Sequence, residues 1–249
     1  MSGHSHWARI KRAKAVTDQR RGKSWSRLAR GIIIAAKSGG GDPDNNLTLR
    51  YAIDAAKAEN MPKDTIERAI KKGTGELEGV EYVELVFEGY GHGGVAILCL
   101  ALTDNRNRTA PEVKKIFERH GCSLGATNSV ARLFTKQGVF LLPVANTDEE
   151  KMTEIAIDAG VEDINQDGEM FVLKCDPGHY NKVRQALTEA GMTLESAELT
   201  MEPSLTVPVA GESAEKLMRV LEELEDHDDV QNVYSNYELS EADMERLAR

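Results

Sequence analysis

The sequence predicts an α+β fold, on three observations. Apolar residues recur at helical spacing from Trp25 to Ile70, the pattern shortens to that of strands from residue 82, and residues 138–202 run strand, helix, strand, strand, helix, strand. Three domains are expected: a basic arm plus three-helix domain over 1–75, a discontinuous α/β domain over 80–135 and 204–240, and an inserted ferredoxin-like βαββαβ domain over 137–203.

Residues 1–23 are polar, with little apolar periodicity, and predict an arm. From Ser24 a helix follows, because Trp25, Leu28, Ala29, Ile32 and Ala36 share one face, with Arg27, Arg30 and Lys37 on the other. Gly39-Gly40-Gly41 stops it. A second helix is expected over 45–58 and a third from Pro62 to Gly73, where Lys71 and Lys72 suit a helix C-terminus. Residues 82–88 and 95–102 read as strands joined by the glycine-rich turn Gly89–Gly94. That turn is followed by a strand rather than a helix, so it is a positive-φ turn and not a phosphate loop. Thr109-Ala110-Pro111-Glu112 reads as a capping box opening a helix that carries Val113, Ile116 and Phe117, and a strand is expected near 130–134.

Within 138–202, Thr147 with Glu150 is expected to cap the first helix and Asp176-Pro177 to start the second. The tail supplies a strand at 204–209, a helix from Ser213 and a strand at 230–237, expected to complete the sheet begun at residue 82.

The net charge of −10 conceals a division: residues 1–75 sum to +9 and residues 76–249 to −19. The excess lies in residues 1–37, which hold ten Lys/Arg against the single acid Asp18. A basic segment that continues from an arm onto an ordered helix points to a polyanion partner for that end alone. The expected phosphate contacts are Lys11, Arg12, Lys14, Arg20, Arg21, Lys23, Arg27, Arg30 and Lys37, with Trp7 available to stack on a base. Arg106 and Arg108, in the polar run Thr103–Thr109 before a helix N-terminus, form a second candidate anion surface, although Asp104 and Asn105 also suit a self-capped turn.

Other chemistries find no support. No apolar run approaches the roughly 20 residues of a membrane span. Cys99, Cys122 and Cys175 are isolated and odd in number, so neither a disulfide framework nor a metal knuckle is expected. His4 behind Ser2-Gly3 is read as incidental, with no metal and no cofactor expected. No nucleophile, base or metal motif with its required spacing appears, so an enzyme is not expected.

Six ordered blocks carry a resemblance: Gly3-His4-Ser5 with Trp7; Gly39-Gly40-Gly41-Asp42-Pro43; Asn60-Met61-Pro62-Lys63-Asp64; Ile66–Gly73; Glu88-Gly89-Tyr90-Gly91; and Thr103–Thr109. Together they resemble the YebC/PmpR family along the whole chain. The chain departs from it at His6, at Arg12-Ala13, at His92 and at Asn128, where the family commonly has Lys, a His-Arg pair, Pro and Gly. The resemblance implies the same three domains and a non-enzymatic regulator of gene expression. Bacterial members are usually assigned as DNA-binding transcriptional regulators. Mitochondrial relatives, among them the translational activator of cytochrome c oxidase subunit I, act in translation, which implies ribosomal RNA as an alternative target. Because only Met1 and Ser2 stand before the Gly-His-Ser block, a transit peptide is not expected and a cytoplasmic location is.

Overall fold

A computed structural model describes residues 21–78, 81–240, 243 and 246. It is a mixed α/β structure with an N-terminal helical region and antiparallel sheets, in two compact units.

Among the described residues, the first unit takes residues 21–131 together with Val209–Ser235. Helices α1 (Arg21–Gly39), α2 (Leu47–Ala58) and α3 (Lys63–Gly73) open it. Ile32, Ala36, Leu49, Ile53, Ile66 and Ala69 form their common core. Asn46 caps α2 by accepting from the Leu49 N–H at 3.1 Å, and its amide donates back to the carbonyls of Ala35 and Gly40. The junction of α1 and α2 is thus closed by one side chain. Gly73 lets α3 cross α1 closely, since a Cβ there would lie 2.6 Å from the Ala36 Cβ. Trp25 departs from its expected place in this core. It is 41% exposed, and its indole N–H donates to the Glu59 carbonyl at 3.1 Å, so its polar edge holds it at the rim.

The sheet of this unit has the order β3-β1-β2-β9, formed by β1 (Val83–Tyr90), β2 (Ala96–Thr103), β3 (Ser123–Leu124) and β9 (Val230–Ser235). The β1–β2 turn has positive φ at Gly93 and Gly94, as the glycine run predicts. Helices α4 (Arg106–Arg119) and α7 (Gly211–Asp226) cover one face, where Gly89 meets Phe117 and Gly91 meets Leu217. Helix α4 begins earlier than expected. Its cap is Asn105, which accepts from the Arg108 N–H, while Thr109 lies inside the first turn with its hydroxyl buried.

The second unit contains residues 132–208 and the residues from Asn236. Its elements are β4 (Phe134–Pro143), α5 (Glu149–Ala159), β5 (Val161–Asp167), β6 (Met170–Cys175), α6 (Tyr180–Glu189) and β7 (Ser196–Pro203). The antiparallel sheet has the order β5-β6-β4-β7. Tyr180 stacks on Phe140 with ring centroids 4.9 Å apart, which seats α6 on β4. Asp148, not Thr147, caps α5 by accepting from the Lys151 N–H, because the Thr147 hydroxyl is engaged by the Pro143 carbonyl. The strand expected near 130–134 is instead a single turn of 3₁₀ helix at Ala131–Leu133, and β4 then runs without a break to Pro143. Of the tail, only β9 joins the first sheet, while β8 (Val207–Val209) pairs with β10 (Tyr237–Leu239).

Candidate nucleic-acid interface

The basic segment begins outside the described residues. Trp7, Lys11, Arg12, Lys14 and Arg20 fall there. Arg21 and Lys23 belong to the first turn of α1, with side chains outside the description.

The described part of α1 differs from expectation. Arg27 and Arg30 do not project freely into solvent, because both reach the α7–β9 turn. Arg27 Nη2 donates to the Glu225 carbonyl at 2.5 Å. Arg30 Nη1 donates to Asp229 Oδ1 at 2.8 Å, and its Nη2 donates to the Asp228 carbonyl. A pattern of 3.6 residues separates a polar face from an apolar one, but it does not show that a later turn will cover the polar face. Lys37 is exposed and pairs with exposed Glu81 at 2.7 Å, which holds the Glu81 carboxyl below its ordinary range. Lys37 also stands with Lys72, Ile33, Leu77 and Tyr82 around an open cleft of about 350 Å³.

Asp229 organises the second candidate surface. Its side chain is 4% exposed. Besides Arg30, its carboxylate accepts from Arg108 Nη2 at 2.6 Å, Thr109 Oγ1 at 2.6 Å and Thr103 Oγ1 at 3.1 Å. Burial pushes this carboxyl up, but the bonds from Thr109, Arg108 and Thr103 outweigh it and hold it below the ordinary aspartate range. The Asp229 N–H donates to His227 Nδ1, which leaves His227 Nε2–H for Glu112. Arg108 also pairs with Asp104 at 3.1 Å, and the Asp229 bond raises its guanidinium pKa. Of the two arginines, therefore, Arg106 remains exposed without an ion pair among the described residues, at the first position of α4. Arg108 is committed to the fold. The self-capped geometry of Asn105 accounts for the loop, and Arg106 adds an exposed cation to that helix terminus.

Sequence patterning missed three buried carboxylates: Asp229, Glu88 and Glu202, the last paired with Lys174 at 2.7 Å. Glu88 accepts the backbone N–H groups of Asn128, Val130 and Ala131, each at 2.7 Å, and so fixes the loop after β3. Burial raises its pKa, and the three N–H donors more than reverse that. A usable signal was its position, an acid flanked by Phe87 and Gly89 inside an apolar strand. Among the described residues no group of His, Cys, Asp and Glu could hold a metal ion, and no helix is long and apolar enough to cross a membrane.

An N-terminal helical region and antiparallel sheets, with basic residues gathered at the N-terminal end of the sequence, define a mixed α/β protein of strongly divided charge. The family match is specific. The TACO1/YebC N-terminal domain matches residues 5–76, and the TACO1/YebC second and third domain matches residues 82–237. The chain belongs to the TACO1/YebC family. It is 51% identical over 247 residues to a "Probable transcriptional regulatory protein" of Acidithiobacillus ferrooxidans, covering 99% of this chain and 98% of the relative. A protein of the same description from Geobacter sulfurreducens is 49% identical over 247 residues, covering 99% of this chain and all of the relative. The crystal structure of a conserved hypothetical protein of Aquifex aeolicus superposes with a TM-score of 0.81 at 45% identity, over 95% of this chain and 98% of that one.

Proposed function

We propose that this chain is a cytoplasmic, non-enzymatic regulator of gene expression that grips nucleic acid through its N-terminal arm. DNA is the target in this reading, in keeping with relatives described as probable transcriptional regulatory proteins. One observation carries the reading: ten of the first 37 residues are Lys or Arg against one acid, on a chain that is otherwise acidic. Within this reading, the hydrogen bonds bear on which of those charges are available to a ligand. Arg27 and Arg30 are spent on anchoring α1, and Arg108 on anchoring α4. The phosphate contacts fall to Lys11, Arg12, Lys14, Arg20, Arg21 and Lys23, with Lys37 and Arg106 as flanking cations and Trp7 as the stacking group. The three-domain division, with a ferredoxin-like insert over 137–203, belongs to the same reading. It is supported by the βαββαβ strand order and by the separate matches to an N-terminal and to second and third domains.

The test is DNA retention at several stated salt concentrations. Replacing Lys11, Arg12 and Lys14 by Gln should weaken binding evenly across sequences and flatten the log–log salt slope by about one unit for each phosphate no longer neutralised. Unchanged affinity and slope would refute the arm as the grip. Co-sedimentation with ribosomes under the same salt separates the targets. Ribosome association that vanishes when residues 1–20 are deleted, beside only weak sequence-independent DNA binding, would move the target from DNA to ribosomal RNA.

A further inference from the structure

The sheet of the first unit has an edge that nothing described covers. Strand β1 pairs with β2 over its whole length, Val83 to Tyr90. On its other side β3 reaches only Gly89 and Tyr90. The Gly125 N–H donates to the Glu88 carbonyl at 2.8 Å, so Glu88 points away from β2. In an antiparallel ladder the outward residues alternate, which makes Val86 and Glu84 the next two. Among the described residues no backbone group bonds the outward N–H or C=O of either. The stretch is also apolar where it is bare: Val86 is 55% exposed and Val83 41%. Edges of this kind are normally blunted by Lys, Pro or a bulge. Residues 83–88 contain neither Lys nor Pro, and β1 pairs with β2 there in unbroken register.

We propose that this edge is a docking site for an extended, basic strand of a partner protein, added to the sheet beside β1. Main-chain bonds to Glu84 and Val86 would supply the pairing, and side chains the selectivity. Charge identifies the partner. Residues 76–88 hold five acids and no Lys or Arg; Glu88 is buried and exposed Glu81 pairs with Lys37, which leaves Glu76, Glu78 and Glu84 as the other exposed acids of this stretch. Glu84 is exposed on the same strand face as Val86, so an added strand would lay a Lys or Arg beside Glu84. The stem of the same side chain type would cover Val86. A second copy of this chain is the poorer occupant, since it would bring two acidic edges together in a protein of net charge −10. The site is independent of nucleic-acid binding by the arm.

The probe is a capped heptapeptide alternating Lys and Val, with its Glu/Val counterpart as control, added to the full chain at low salt. Residue-resolved amide hydrogen exchange is the readout. The Glu84 and Val86 amides should slow at least tenfold with the Lys/Val peptide and not with the Glu/Val peptide. Glu84→Lys should weaken the peptide's Kd at least tenfold. Val86→Pro, which removes one outward N–H at a position facing away from β2, should abolish the protection. If that variant does not fold, Glu84→Lys with an unchanged melting temperature carries the test. Four results would overturn the proposal: no slowing, equal slowing by both peptides, slowing that grows with protein concentration alone, or slowing without peptide that disappears when residues 1–20 are deleted.

Discussion

Asp229 and Glu88 are acids in a strongly acidic chain, yet neither adds to its surface. Each is nearly out of water and is held as a carboxylate by donors, through guanidinium and hydroxyl groups at Asp229 and through three backbone N–H groups at Glu88. Both folded-state pKa values lie below the ordinary carboxylate range. The stability they contribute is therefore complete above the unfolded-state value of about 4 and is lost as pH falls through the lower folded value. Glu88→Gln keeps the shape but leaves at least one of the three N–H groups poorly satisfied. It should cost about 1–3 kcal/mol in urea unfolding at pH 7, and the deficit should shrink as pH falls below 4. An equal deficit at pH 7 and pH 3 would contradict that assignment. Cysteine chemistry is also decided at this scale. Burial pushes the Cys99 thiol up to about 12 and Cys175 up to about 11, and burial raises Cys122 as well. A disulfide reagent at pH 8 should leave all three unmodified in the native protein and titrate three thiols in denaturant.

At the scale of elements, the helices and strands were legible because their periods are strong. Leu49, Ile53 and Ala56 fall on one face of α2, and the unbroken apolar run Val95–Leu102 becomes the central strand β2. What patterning could not supply was competition between neighbouring caps. Thr109 is three residues before a Glu-bearing turn, but its hydroxyl is taken by Asp229, which lies 120 residues later in the chain, and Asn105 caps α4 instead. The loss of Thr147 to the Pro143 carbonyl, and of its cap to Asp148, is the same effect. The crossing of α1 and α3 depends on Gly73 in the same non-local way. Gly73→Ala would drive its methyl into the backbone of Ile33 and the Ala36 side chain. It should destabilise the helical region by about 1–3 kcal/mol, measured as a lower urea midpoint with an unchanged slope.

At the scale of the whole molecule, composition gives the division of charge along the chain but not what each charged side chain touches. The count of ten basic residues in 1–37 says that one end attracts polyanions. It cannot say that Arg27 and Arg30 already bond the C-terminal end of α7 and the turn after it, because the partners lie about 200 residues away. A separation follows for mutagenesis. Arm substitutions should change the salt dependence of binding with little effect on melting. Arg30→Ala removes one of the four side chains that donate to the buried Asp229 carboxylate and should cost about 1–3 kcal/mol of unfolding free energy, while altering the salt slope far less than an arm substitution does. Chemical unfolding beside salt-titrated binding for the two sets checks both halves.

The single carboxylate of Asp229 serves Arg30 on one helix and Arg108 on another. Their fates are therefore joined. Once Arg30 is removed, Asp229 leans harder on Arg108, so that removing both should cost something other than the sum of the two single effects. A double-mutant cycle would read this as a coupling energy of about 0.5–3 kcal/mol. In the history of such a chain these three positions would drift together or stay still together: replacing Asp229 by a neutral residue is the change that would make both arginines dispensable at once.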